Sequence, residues 1–135
     1  ESYINEYSSL FGQKGSIASN ILRDDIQKES WKKIGPVRTA KGIKEMEDKI
    51  KEIETKLNDI SIPNYFIWNQ AFMDFVELKN MICSAKLIGL AAKERNGSIG
   101  GHVRLDAKNI SIFSRPYSTL VHKNNNTYLV LRFAN

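Results

Sequence analysis

The sequence is poor in the residues from which several kinds of protein are built. It has one cysteine, Cys83, so no disulfide framework can form within the chain. It has two histidines, His102 and His122, and with a single thiol these are too few and too widely spaced for a structural zinc site. No G-x-G-x-x-G, Walker loop, G-x-S-x-G elbow or paired-histidine motif is present. No apolar run approaches the roughly 18 to 20 residues that a membrane span needs, and nothing at the N-terminus reads as a signal peptide. From the residues themselves no catalytic, cofactor-binding or metal-binding position is expected.

What is present suits one folded domain. The 135 residues are 41% hydrophobic, and Trp31, Trp68, six Phe and five Tyr are set among regular aliphatic spacings, which excludes disorder over the whole length. Glu1 rather than Met at the start suggests a processed chain or a piece of a longer one. Twenty Lys and Arg against fifteen Asp and Glu leave +5, a balance that permits a polyanionic partner. The signs alternate, however, as in residues 41–56 with Glu45, Glu47, Asp48, Glu52 and Glu54. Such interleaving marks a solvated helix face, so nucleic-acid binding is disfavoured.

The pattern predicts a mainly α protein, a three-helix antiparallel bundle followed by a loop and a short β-hairpin. Residues 1–15 read as a lead-in segment, 16–97 as the bundle, and 98–135 as a Gly-rich loop and hairpin tail of the same domain. The first helix begins at Ser19 or Asn20, carries Ile21, Leu22, Ile26 and Ile34 with Trp31 near the same face, and stops at Gly35-Pro36. The second is capped by Thr39 and aligns Ile43, Met46, Ile50, Ile53 and Leu57 on one stripe. A third, over residues 65–95, collects Trp68, Phe72, Phe75, Val76, Ile82, Ala85, Ile88, Gly89 and Ala92. Strands over 117–122 and 127–133 flank the turn 123–126.

Few residues are candidates for function. Cys83, on or beside the apolar face of the third helix, is expected to be a buried inert thiol, and His122 a surface histidine. The Gly100 to Asp106 stretch stands out. Its glycines permit unusual backbone geometry. His102, Arg104 and Asp106 alternate, so an extended segment would project them to one side. Arg104 and Asp106 can bond each other or a neighbouring chain.

Residues 21–38, ILRDDIQKESWKKIGPVR, resemble the start of the C-terminal helical domain of succinate dehydrogenase/fumarate reductase flavoprotein subunits, through Arg23, Ile26, Gln27, Trp31, Gly35 and Arg38. The helix of residues 41–57 and the run Glu77-Leu78-Lys79-Asn80-Met81 to Ala91-Ala92 are similar to the elements that follow there. Ser98, Gly100, His102, Arg104 and Asp106 fit the family's Glu-Ser-Arg-Gly-x-His-x-Arg-x-Asp segment in register, with Gly97 and Ile99 replacing the Glu and the first Arg. Ser118-Thr119-Leu120 through Tyr128 resembles its closing hairpin.

The resemblance implies a domain that packs on the family's FAD-binding domain and helps dock an iron–sulfur subunit. The flavin, the catalytic residues and the succinate/fumarate chemistry then lie in the parent oxidoreductase and not in this chain. It also implies a cytoplasmic location, with the parent complex at the inner face of a membrane. Ser98, Gly100, His102, Arg104, Asp106, Trp31 and Arg38 become the interface candidates, and the Arg104–Asp106 pair is expected to be mostly exposed. The same domain of L-aspartate oxidase is the alternative within the enzyme class. A free-standing basic helical module that binds RNA or a partner helix is the alternative outside it.

Overall fold

The computed structural model describes residues 7–107, 117–124 and 127–134. Three helices carry the core: α1 (Ser19–Ile34), α2 (Ala40–Lys56) and α3 (Gln70–Glu94). A 3-10 turn, Leu57–Asp59, follows α2. Between α1 and α2 lies the two-residue strand β1 (Val37–Arg38), which pairs in parallel with β2 (Val103–Arg104). The long strands β3 (Tyr117–Asn124) and β4 (Thr127–Ala134) pair antiparallel, from Tyr117 opposite Ala134 to Asn124 opposite Thr127. Of the expected turn 123–126, positions 125 and 126 lie outside the described residues, and Lys123 and Asn124 belong to β3.

Side-chain pairs give the helix directions. Lys93 of α3 meets Glu47 of α2 and Lys86 meets Glu54, so these two run antiparallel. Lys33 meets Glu45 and Asp25 meets Lys49, so α1 and α2 are antiparallel as well. Ser19 donates to the Ala71 carbonyl and Arg23 pairs with Asp74, which sets α1 and α3 side by side in the same direction. The result is the expected up-down-up bundle.

The α2 stripe is as the spacing predicts. Ile43, Met46, Ile50 and Ile53 are buried, and Leu57 packs against the same core. Thr39 accepts the Gly42 amide at 3.0 Å, satisfying a donor at the helix start that has no partner within the helix. The other two helices need correction. The first has Ala18 at its N-cap, with no side-chain cap, while Ser19 is buried against α3. Ile21 and Trp31 are exposed, Trp31 by 75%.

The third helix starts at Gln70, not at 65. Asn69 accepts the Phe72 amide at 3.0 Å and donates to the carbonyls of Pro63 and Tyr65 at 2.9 and 2.8 Å. These bonds hold residues 63–69 in a loop. Trp68 adopts φ +58° there and is 93% exposed, so it is not a core residue. Cys83 is exposed too, contrary to the expectation of a buried thiol.

The apolar interior extends beyond the helices. Ile60 and Ile62 are fully enclosed, and residues 13–17 pair alongside them. Ile17 donates to the Asp59 carbonyl, Ser61 to that of Ile17, and Ile62 to that of Gln13, all within 3.0 Å. Gly15 is required at this crossing, since a Cβ there would lie 2.1 Å from the Asp59 carbonyl oxygen. Among the described residues no helix is long and apolar enough to cross a membrane.

Candidate functional site

The segment 98–106 is folded onto one end of the bundle by a dense set of bonds. Gly100, at φ +54°, turns the chain, and Ile99 and His102 exchange two backbone hydrogen bonds of 2.9 and 3.0 Å across that turn. A residue with a Cβ rarely takes this conformation, which is what the glycine contributes. Beyond the turn the chain runs beside β1: Val103 donates to the Pro36 carbonyl and Leu105 to that of Arg38. The Ser98 hydroxyl accepts the Arg104 amide at 2.9 Å, closing the loop at its base.

Arg104 sits at the centre of this arrangement and is 7% exposed, which corrects the expectation of a mostly exposed pair for the arginine, while Asp106 stays exposed. Its Nη1 donates to the carbonyls of Ala92 and Arg95, both at 3.2 Å, at the C-terminal end of α3. Its Nε and Nη2 meet the two oxygens of Asp106 at 2.9 and 3.2 Å in a two-pronged pair. Asp106 in turn accepts the Ala40 amide at 2.6 Å, at the first turn of α2. A cation therefore rests where a helix ends in negative carbonyls, and an anion where a helix begins in positive amides. The loop clamps α3 to α2.

Arg104 and then the Ala40 amide hold the Asp106 carboxyl far below the usual carboxylate range. An unfolded Asp binds its proton near pH ~3.9, so just below that pH the unfolded chain takes up more protons than the folded one. The stabilisation from Asp106 is thus complete above about pH 5 and is lost on acidification through the unfolded value towards the folded one. In melting curves from pH 7 to pH 2, Asp106→Asn should melt lower than the parent chain near neutrality and converge with it in acid. A gap that stays constant to pH 2 contradicts the assignment.

His102 Nε2 lies 3.2 Å from the Arg95 carbonyl, which can only accept, so the ring donates there. Burial pushes its pKa down, and Arg38, Arg95 and Arg104 repel its charged form in the same direction, while the Arg95 carbonyl opposes them. The neutral ring with its proton on Nε2 fits these surroundings. The β1–β2 register brings Arg38 opposite Arg104. Burial first and Arg104 second push the Arg38 pKa below the ordinary arginine range. Its Nε is shielded from solvent and has no hydrogen-bond partner among the described residues.

The seven candidates thus divide. Ser98, Gly100, His102, Arg104 and Asp106 form the clamp, and Arg38 lies beside it. Trp31 stands apart on α1, forming a wall shared by two grooves. One, of about 720 Å³, runs between α1 and α3 past Ile34, Met81, Ala85 and Ile88. The other, of about 590 Å³, includes Val37, Arg38, Thr39 and Leu105. Sequence reasoning misses the exposed run Tyr65, Phe66, Ile67 and Trp68. Asn69, a good N-cap residue before an apolar run, is the signal that separates it from α3. Among the described residues no group of three or more His, Cys, Asp or Glu could hold a metal ion.

Comparison with known proteins matches residues 23–132 to the family described as fumarate reductase flavoprotein C-term. The 8-methylmenaquinol:fumarate reductase flavoprotein of Wolinella succinogenes is 26% identical over 106 residues, which cover 77% of this chain and 17% of that protein. A chloroplastic L-aspartate oxidase of Arabidopsis thaliana is 29% identical over 85 residues, covering 63% of this chain and 13% of that one. A solved structure of an E. coli quinol fumarate reductase variant superposes with a TM-score of 0.82 at 20% identity, over 95% of this chain and 23% of the other. The chain therefore spans less than a quarter of each of these relatives.

Proposed function

Since the chain belongs to the fumarate reductase flavoprotein C-terminal family, which covers residues 23–132, we propose that it is the C-terminal helical domain of a flavoprotein of the fumarate reductase/succinate dehydrogenase type. The observation that carries this reading is that match, which runs through the clamp loop and into the hairpin. In this reading the domain packs on the flavin-binding part of the same polypeptide and helps form the surface that receives an iron–sulfur subunit. The parent interconverts succinate and fumarate, and its FAD supplies the hydride chemistry.

The residues of this chain do not fit the flavin itself. The parallel ladder of β1 and β2 has two residues in each strand, and the sequence holds no G-x-G-x-x-G to cradle a pyrophosphate at a helix N-terminus. What these residues do is hold a shape. The clamp fixes the start of α2 and the end of α3, and Trp31, Val37 and Leu105 stand near it as exposed apolar side chains that line one groove with Arg38. Apolar anchors next to an arginine suit a protein interface. The L-aspartate oxidase domain is the second reading, supported by its similarity over much of the same chain.

The purified 135-residue chain should be colourless and should not reduce a dye with succinate. When co-expressed with the flavin-binding part of its parent it should co-purify with that part, which carries the yellow flavin. A stoichiometric flavin on the isolated chain overturns the reading.

A further inference from the structure

The groove between the start of α2 and the tip of β2 contains the one buried side-chain nitrogen without a partner among the described residues, Arg38 Nε. Arg38 makes no ion pair among the described residues. Its neighbours increase the imbalance: Arg104 repels it, and Arg38 in turn repels protonated His102. The one carboxylate of the clamp, Asp106, has both oxygens engaged by Arg104 and the Ala40 amide. Lys33, which also lines the groove, is paired with Glu29 and Glu45. A guanidinium drawn partly out of water with nothing to receive its Nε–H is costly to the isolated domain. The rim around it is apolar, from Trp31, Val37 and Leu105, each at least half exposed.

We propose that Arg38 is a carboxylate receptor: the anchor at which an Asp or Glu side chain from the flavin-binding part of the same polypeptide seats this domain, with Trp31, Val37 and Leu105 closing around it. This deepens, and rests on, the docking reading above. A carboxylate satisfies the fork-shaped donor and offsets the repulsion between the two arginines. The apolar rim removes water from that pair, as the surroundings of strong interface contacts do. The energetic penalty in the free domain is what docking relieves.

The test compares the unaltered protein with Arg38→Met and Arg38→Lys, both in the 135-residue chain and in the assembled flavoprotein. In the isolated chain, Arg38→Met should melt at the same temperature as the parent or above it, because a desolvated unpaired cation is removed while its packing volume is kept. In hydrogen exchange, the peptide containing residues 31–38 should be protected on assembly. Arg38→Met should make it exchange at least tenfold faster there, and Arg38→Lys should restore only part of that protection. A marked fall in the melting temperature of the isolated Arg38→Met chain makes Arg38 a structural residue and overturns the proposal. Equal protection of Arg38→Met and the unaltered flavoprotein overturns the anchor while leaving docking intact. If no peptide of the domain gains protection on assembly, the docking reading itself fails and the anchor with it.

Discussion

Replacing Arg104 with Ala is expected to cost about 3 kcal/mol of folding stability, because a buried guanidinium that bonds two carbonyls and a carboxylate is lost. The size follows from what is left behind. The carbonyls of Ala92 and Arg95 lose a charged donor at the end of α3, and hydrogen bonds to charged groups contribute roughly 1.5 to 3 kcal/mol. The fork of Asp106 loses its partner, although that carboxylate is a third exposed and can take up water in compensation. Relief of repulsion at Arg38 offsets a small part of the loss. Arg104→Lys keeps the charge but not the planar fork, and it should recover less than half. Denaturant melts of the three proteins check this, and a loss below about 1 kcal/mol for Arg104→Ala would show that the clamp is ornamental. The expectation from sequence, a mostly exposed pair, fails at Arg104, which is buried, while Asp106 keeps contact with water.

The second large effect is expected at Ile53, which is fully enclosed on α2. Truncation to Ala should destabilise by about 2 to 5 kcal/mol, the sum of lost transfer energy and an imperfectly collapsed cavity. Phe75, Leu78 and Ile82 of α3 belong to the same buried cluster. Because the rest of that cluster is aliphatic and tightly enclosed, the value should fall in the upper half of the range. Equilibrium unfolding of Ile53→Ala measures it. A change under about 0.5 kcal/mol would mean that the stripe does not face the interior.

These two positions show what can be read from the sequence. The stripe from Ile43 to Ile53 is legible because a solvated helix face of Lys and Glu leaves only one side for apolar residues, and the spacing states which side. Trp31 is misplaced by its type rather than by its spacing. It follows Ile26 by five residues, a rotation of about 140° from the inward line, and its size makes it look like a core residue. Trp68 is drawn into α3 by apolar periodicity, whereas the bonds from Asn69 to Pro63 and Tyr65 start the helix after it. Cys83 follows inward-facing Ile82 directly and is turned away from the core.

At the candidate site, the motif of Ser98, Gly100, His102, Arg104 and Asp106 is visible as a group, but its bonding is not. Alternation along an extended segment suggests side chains that point together. It contains nothing about the carbonyls of Ala92 and Arg95, which become acceptors only when the end of α3 is brought alongside. Nor can it show Arg38 opposite Arg104, since a two-residue parallel ladder between distant segments leaves no local pattern. Ile60 and Ile62 escape for the same reason, because residues 13–17 cover them from far along the chain.

The bond from the Ala40 amide to Asp106 joins positions 66 residues apart, so the opening turn of α2 receives this cap only after the polypeptide has been made through residue 106. During synthesis α2 emerges long before the group that completes it. A chain broken off after α3 would still contain all three helices and nearly all the enclosed aliphatic residues. It would lack both the anion at the start of one helix and the cation at the end of another. The contacts that close this end of the bundle therefore form only in molecules whose residues 104–106 have been made.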